Sequence, residues 1–198
     1  SDVIINKNFS FIEGDLKDKD KIINAYLGVD CIIHFAANPD IAKAVKEPEI
    51  DFWEGTYLTQ NVLEAARVNK IKYFLYTSGS GVYGENPDIN FDENYGPCIP
   101  ISTYGASKLA CEALIASYCS MFGLKARAFR FANVVGPRQT HGVGYDFIRK
   151  LKDNPTQLQI LGDGTQIKSY IFVTDVIDAM LNVFHSMTNN TLIFDVFN

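Results

Sequence analysis

Apolar residues along this chain alternate between short runs and longer stretches with helical spacing. Phe9-Ser10-Phe11-Ile12 reads as a short strand, and Asp18 to Leu27 carries helical spacing through Ile22, Ile23 and Tyr26. Asp30-Cys31-Ile32-Ile33-His34-Phe35 is a nearly continuous apolar run, the pattern of a buried strand. A long helical segment follows near Ile50 to Val68, then a strand from Lys72 to Thr77. A polar loop rich in Gly, Pro and Asn runs from Gly79 to about Pro100. Tyr104 to Phe122 is a helix rich in Ala and Leu, and Lys125 to Phe131 is a strand. Beyond it the pattern predicts a helix near Tyr145 to Lys152, short strands near Leu158 to Leu161 and Ser169 to Ile171, a helix near Asp175 to Ser186, and a last strand from Thr191 to Phe197. Strands alternating with helices imply βαβ units and a parallel α/β sheet. After about Asn133 the elements shorten and the loops lengthen, which puts a domain border between 1–133 and 134–198.

One glycine pattern invites misreading. Gly79-Ser80-Gly81-Val82-Tyr83-Gly84 matches G-x-G-x-x-G and follows a strand. The dinucleotide fingerprint works only where it opens a helix, whose first amides hold a pyrophosphate. Here Glu85-Asn86-Pro87-Asp88 follows, which is loop chemistry. The match is read as false.

Composition narrows the partners. Hydrophobic residues make up 47% and charged residues 21%, so a packed core is expected rather than disorder. The formal net charge of −5, with no basic stripe, argues against nucleic acid. No apolar run reaches membrane-spanning length. Cys31, Cys98, Cys111 and Cys119 form no CxxC or zinc-ligand spacing, so no metal site is expected, and they read as buried free thiols of a reducing cytoplasm. His34 reads as a satisfied core histidine, His141 as a loop residue and Asp175 as a helix cap.

Tyr104-Gly105-Ala106-Ser107-Lys108 is a Y-x-x-x-K on a helix, where positions i and i+4 share a face. An ammonium close to a phenol favours the phenolate and makes Tyr a usable base. Around this pair stand further segments: Gly14-Asp15-Leu16, His34-Phe35-Ala36-Ala37, Thr77-Ser78-Gly79-Ser80-Gly81-Val82-Tyr83-Gly84, Arg130 to Arg138, Leu161-Gly162-Asp163-Gly164, and Lys168-Ser169-Tyr170-Ile171-Phe172-Val173.

In order and spacing, these segments resemble the extended short-chain dehydrogenase/reductase family of NAD-dependent nucleotide-sugar epimerases and dehydratases. The resemblance implies a Rossmann-like doubly wound parallel sheet with part of a smaller substrate lobe. Residues 1–133 would be a partial NAD-binding core. Residues 134–198 would be part of the substrate lobe, with elements returning to the core. Tyr104 would remove a sugar hydroxyl proton, and Lys108 would hold the nicotinamide ribose and tune Tyr104. Asp15, Leu16, Phe35, Ala36, Ala37, Thr77 and Phe131 would border the cofactor. Asp15 serves equally as a helix cap. Ser80, Asn133, Arg138 and Lys168 would approach the sugar nucleotide, with Lys168 read equally as a solvated lysine. Members of the family commonly dimerise through the helices that include Ile50–Val68 and Tyr104–Phe122, so a homodimer is implied.

The chain departs from the family pattern in four places. The position that usually carries the catalytic Ser or Thr is Gly79, flanked by Ser78 and Ser80; either hydroxyl, or a water, would take that part. The family's Asn six residues before Asn61 is Gly55, and a mid-helix Gly costs about 1 kcal/mol relative to Ala. Lys168 stands where Arg is usual, which loses bidentate phosphate geometry. Dehydratases and decarboxylases of the family carry carboxylates just before VYG, where this chain has Ser80-Gly81. Elimination needs an acid and a base near the sugar, so the resemblance favours epimerisation at C4 of a UDP-hexose such as UDP-glucose or UDP-galactose. A reductase or dehydrogenase, a dehydratase, and a non-catalytic nucleotide-sugar-binding protein are the alternatives on the same fold.

The family begins with a βαβ unit bearing the Gly-rich phosphate loop. This chain lacks an initiator Met, resembles the family from just before its third strand, and stops within the substrate lobe. Roughly 40 residues, about one βαβ unit holding strands 1 and 2, are expected to precede it. The strand around Ile32 then becomes an open sheet edge. The 198-residue chain alone is therefore expected not to bind NAD tightly. Calorimetric titration of the purified chain checks this, and stoichiometric tight binding would contradict it.

Overall fold

The computed structural model describes residues 6–39, 43–85, 89–160, 162–165, 167–189 and 191–198. Four parallel strands form the central sheet: β1 (Cys31–His34), β2 (Tyr73–Thr77), β3 (Lys125–Phe129) and β6 (Phe194–Phe197), in the order β1-β2-β3-β6. His34 pairs in register with Tyr76, Thr77 with Phe129, and Phe129 with Phe197, which brings the carboxyl ends of the strands together. A second, two-stranded parallel sheet joins β4 (Asn133–Val135) to β5 (Tyr170–Phe172).

Both faces of the central sheet are covered, as parallel sheets require. On one side Phe74, Tyr76, Ala126 and Ala128 pack against Val62, Leu63 and Ala66 of α2 (Tyr57–Val68) and Cys111, Ile115 and Cys119 of α3 (Thr103–Phe122). On the other, Leu75 and Phe129 meet Val176, Met180 and Met187 of α5 (Val173–Met187). The alternation of Phe74 and Tyr76 with Leu75 follows from the two-residue period of a strand. Two further helices are α1 (Lys19–Ala25) and α4 (Val143–Asp153), and α4 buries none of its residues.

Several expected elements change. Phe9–Ile12 forms no strand, and Phe9, Phe11 and Ile12 stand exposed. A strand exists through its partner, and β1 pairs only with β2 in this sheet. Ser169–Ile171 shifts to Tyr170–Phe172 because its partner is Asn133–Val135, a strand of only three residues, too short to announce itself. Leu158–Ile160 forms no strand; Leu161 lies outside the described residues, as do Asn86, Pro87 and Asp88 of the loop after Gly84. The last strand begins at Phe194 rather than Thr191, and the strand starting at Lys125 stops at Phe129. The segment from Ile50 to Val68 is helical, but Phe52–Thr56 winds as a π turn. Asp175 lies in the first turn of α5, whose cap position is Phe172. Cys111 and Cys119 are buried, whereas Cys31 and Cys98 are half-buried. Among the described residues no helix is long and apolar enough to cross a membrane.

Candidate active site

Ser102 sits in extended backbone and its Oγ accepts the Gly105 amide at 3.0 Å, which starts α3 at Thr103. Gly123, in the left-handed region, ends it. Tyr104, Lys108 and Glu112 then recur every four residues on one helix face. Lys108 is buried, and its Nζ donates to the Thr77 carbonyl at 2.7 Å, at the carboxyl end of β2. The ammonium lies 5.5 Å from the centre of the Tyr104 ring and 5.0 Å from that of Tyr76.

Burial dominates the electrostatics. It lowers the Lys108 pKa to about 8. It also raises the Tyr104 phenol above its usual value, and the Asp51 carboxylate raises it further. The expected lowering of Tyr104 by its lysine does not emerge: loss of water disfavours the charged form of both groups. His34 is buried against Thr59 Oγ1 at 3.0 Å and is pushed down to about 4, first by burial and then by the Lys108 charge, so it is neutral at pH 7. It reads as the satisfied core histidine expected of it.

Asp51 was not singled out by the sequence. Its carboxylate is buried and accepts Asn38 Nδ2 at 2.8 Å and Thr103 Oγ1 at 2.7 Å. Its carbonyl accepts Ser107 Oγ at 2.7 Å. These bonds draw the π turn against α3, and Gly55 stands at the contact: a Cβ there would collide with Ser107 Oγ. The Ser107 hydroxyl, held on the Asp51 carbonyl, leaves no room for a side chain, which is reason for glycine at 55. The only advance signal was an Asp just ahead of an apolar helix, which looks like any surface carboxylate.

The two flanking serines part company. Ser78 is buried and its Oγ donates to Glu112 Oε1 at 2.5 Å. Glu112 in turn receives Arg130 Nη2 at 2.7 Å and Arg130 Nε at 3.1 Å, a two-pronged ion pair buried on both sides. Burial lowers the Arg130 pKa, but the hydrogen bonding and charge of Glu112, together with Tyr83, outweigh it and hold the guanidinium above its ordinary value. Ser80 is exposed, in the 3₁₀ turn Ser80–Val82, with its amide bonded to the Phe131 carbonyl at 3.1 Å. That short turn leads into loop rather than a long helix, in keeping with the reading of the glycine pattern as false.

Two clefts gather most of the remaining candidates. One, of about 710 Å³, is walled by Gly14, Asp15, Leu16, Ala36 and Ala37. Asp15 Oδ1 accepts the Lys17 amide at 2.9 Å, while Asp18, not Asp15, caps α1 by accepting the Lys21 amide. Phe35 is exposed beside this cleft's alanines, and Thr77 Oγ1 bonds to the His34 carbonyl at 3.2 Å. The other cleft, of about 840 Å³, brings together Ser80, Phe131, Asn133 and Lys168. Asn133 Nδ2 donates to the Ser169 carbonyl at 3.1 Å. Arg138 does not line it: it is exposed, with a positive φ of 67°, on the turn after β4.

A parallel sheet with a buried lysine and a tyrosine at its carboxyl edge, flanked by two open clefts, is an open α/β fold of the kind that binds ligands at the carboxyl ends of its strands. The chain belongs to the NAD dependent epimerase/dehydratase family, whose model matches residues 2–195. A solved UDP-galactose 4-epimerase is 38% identical, with a TM-score of 0.83, over 97% of this chain and 62% of its own. The Thermus thermophilus UDP-glucose 4-epimerase, solved with NAD, is 31% identical with a TM-score of 0.81, over 98% and 64%. The human dTDP-D-glucose 4,6-dehydratase is 32% identical over 186 residues, 92% of this chain and 53% of the relative. The chain thus spans little more than half the length of such curated relatives.

The depressed Lys108 pKa has a signed consequence for stability. Below about pH 8 the folded chain must keep a buried ammonium, and this penalty is relieved as pH rises from about 8 towards the unfolded value of 10.5. Lys108→Met removes the penalty. Its unfolding free energy is expected to exceed the parent's most at pH 7, with the gap narrowing between pH 8 and 10.5. Urea unfolding of both forms across that range checks it, and a constant gap refutes it.

Proposed function

We propose that this chain is the core of an NAD-dependent epimerase that inverts C4 of a UDP-hexose through a 4-keto sugar. The observation that carries the reading is the Tyr104–Lys108 pair at the end of β2 beside a turn, Ser80–Val82, that offers no carboxylate. A dehydratase needs an acid and a base at the sugar for elimination; an epimerase needs one base and room for the keto sugar to turn over.

The residues present suit NAD. The cleft at Gly14–Leu16 and Ala36–Ala37 has small side chains that let a flat ring approach the backbone, with the Asp15 carboxylate at its wall. Asp15, Leu16, Phe35, Ala36, Ala37, Thr77 and Phe131 would border the cofactor, with Lys108 on its ribose. Bound there, NAD would supply a reversible acceptor for the C4 hydride. Proton handling falls to this chain. Tyr104 as phenolate takes the C4 hydroxyl proton during oxidation and returns it on reduction to the other face. Lys108, already donating to Thr77, holds a positive charge beside the phenol and favours its ionised form against the cost of burial. Ser80 is the better hydroxyl partner, because the Ser78 proton is given to Glu112. Asn133 and Lys168 share the Ser80 cleft and would meet the diphosphate side of the substrate, whereas Arg138 stands outside that cleft and is left without this role.

Conversion of UDP-galactose to UDP-glucose by the full-length protein tests this reading. Tyr104→Phe is expected to lower kcat about 10²- to 10⁴-fold, the usual worth of a general base. Undiminished conversion would remove Tyr104 from that role, and net consumption of NAD or NADH would point to a reductase or dehydrogenase instead. Gly79 supplies a second test. Its φ of −168° is ordinary extended backbone, and a Cβ there would meet only the Phe131 carbonyl, at 3.9 Å. Gly79→Ser is therefore expected to fold normally and raise kcat. An unchanged kcat would leave the hydroxyl role with Ser80 or a water.

A further inference from the structure

We propose that Asp51 is a positioning residue of the Tyr104 site: its buried carboxylate clamps the first turn of α3 to the loop after β1 and keeps a negative charge against the phenol. The proposal rests on the reading of Tyr104 as the base. It begins from an energetic oddity. A carboxylate 2% exposed is costly to bury, and here no cation bonds it among the described residues. Its two oxygens are instead satisfied by neutral donors on two different elements, Asn38 beyond Ala36–Ala37 and Thr103 beside Tyr104. With the Ser107 hydroxyl on its carbonyl, Asp51 touches α3 one residue before Tyr104 and three residues after it. The clamp therefore fixes where the helix starts and how it is rotated, and so where the phenol stands.

The charge has a separate effect from the clamp. Among the described residues, the titratable groups around Tyr104 are Lys108 on its own helix, Tyr76 on β2 and Asp51 from the π-turn segment. Lys108 favours the phenolate and Asp51 opposes it. Burial first, and Asp51 second, hold the phenol above its usual value. The carboxylate thus adds to burial in disfavouring the phenolate, and the neutral donors around Asp51 leave its field uncancelled.

The experiment is a phenolate absorbance titration of the full-length protein, with the Tyr104→Phe curve subtracted to isolate Tyr104. Asp51→Asn keeps the shape and removes the charge; the Asn38 amide and Thr103 hydroxyl can turn to meet its amide. Its Tyr104 midpoint is expected to move down. Thr103→Val cuts the clamp but leaves the charge, and its midpoint is expected not to fall. Should Asp51→Asn fail to fold, Asp51→Ser removes the same charge and keeps one oxygen for Thr103. A midpoint that stays or rises in the Asp51 variant, or falls equally in Thr103→Val, overturns the proposal. A midpoint that falls while the pH profile of turnover stays fixed supports the Asp51 assignment and removes Tyr104 as base instead.

Discussion

The buried ion pair between Glu112 and Arg130 sets the position of nearly everything at the carboxyl edge of the sheet. Charges this deeply buried are stable only with their partners in place, so the pair tolerates little sliding. Glu112 belongs to α3 and Arg130 follows β3, while Ser78, bonded to the same carboxylate, follows β2. Three elements are thereby pinned at one point. Because Lys108 and Tyr104 lie one and two turns back along the same helix face, pinning Glu112 also fixes Lys108 under the Thr77 carbonyl. Removing either partner leaves the other an unpaired buried charge, a loss of about 3–5 kcal/mol, and frees the helix to rotate.

On α3 two functions are written along one stripe. Its far half, through Cys111, Ile115 and Cys119, buries apolar surface on Phe74, Ala126 and Ala128. Its near half places ionisable groups at the sheet edge, where strand ends leave free carbonyls such as that of Thr77 to receive them. The small residues of β3 matter here: Ala126 and Ala128 let the helix lie close to the sheet, and a helix held farther off would leave Lys108 short of its carbonyl.

The sheet and its helices were legible because their periodicities are long and unambiguous. The apolar run at Cys31–His34, the Tyr73–Thr77 strand and the Ser102-capped helix all carry local signals that tertiary contacts reinforce. The Y-x-x-x-K pair was legible for the same reason, since both residues ride on one helix. The misses fall where structure depends on a distant partner. Phe9–Ile12 has strand composition but no strand beside it among the described residues, whereas Asn133–Val135 is only three residues long and becomes a strand by pairing with Tyr170–Phe172. Asn38 and Thr103 lie 13 and 52 positions from Asp51 in the chain, and no local pattern announces that the three meet. The serines were indistinguishable in sequence because the carboxylate that claims Ser78 lies 34 residues away.

The pKa values at the site show how a correct pairwise idea can be overruled by magnitude. A lysine near a tyrosine does favour the phenolate, yet removing water from both groups works against every charged form. In this structure the ammonium and the phenol are each driven towards neutrality, Lys108 down to about 8 and Tyr104 up, and Asp51 pushes the phenol further the same way. At pH 7 the lysine still holds its proton and the tyrosine keeps its own. The free site is thus a protonated pair under electrostatic tension, with the base not yet formed. A substrate hydroxyl and any positive charge brought against the phenol would shift that balance most strongly where solvent is already excluded, because fields there are least screened. The burial that opposes the base in the free chain is therefore the same property that would make it respond to what binds beside it.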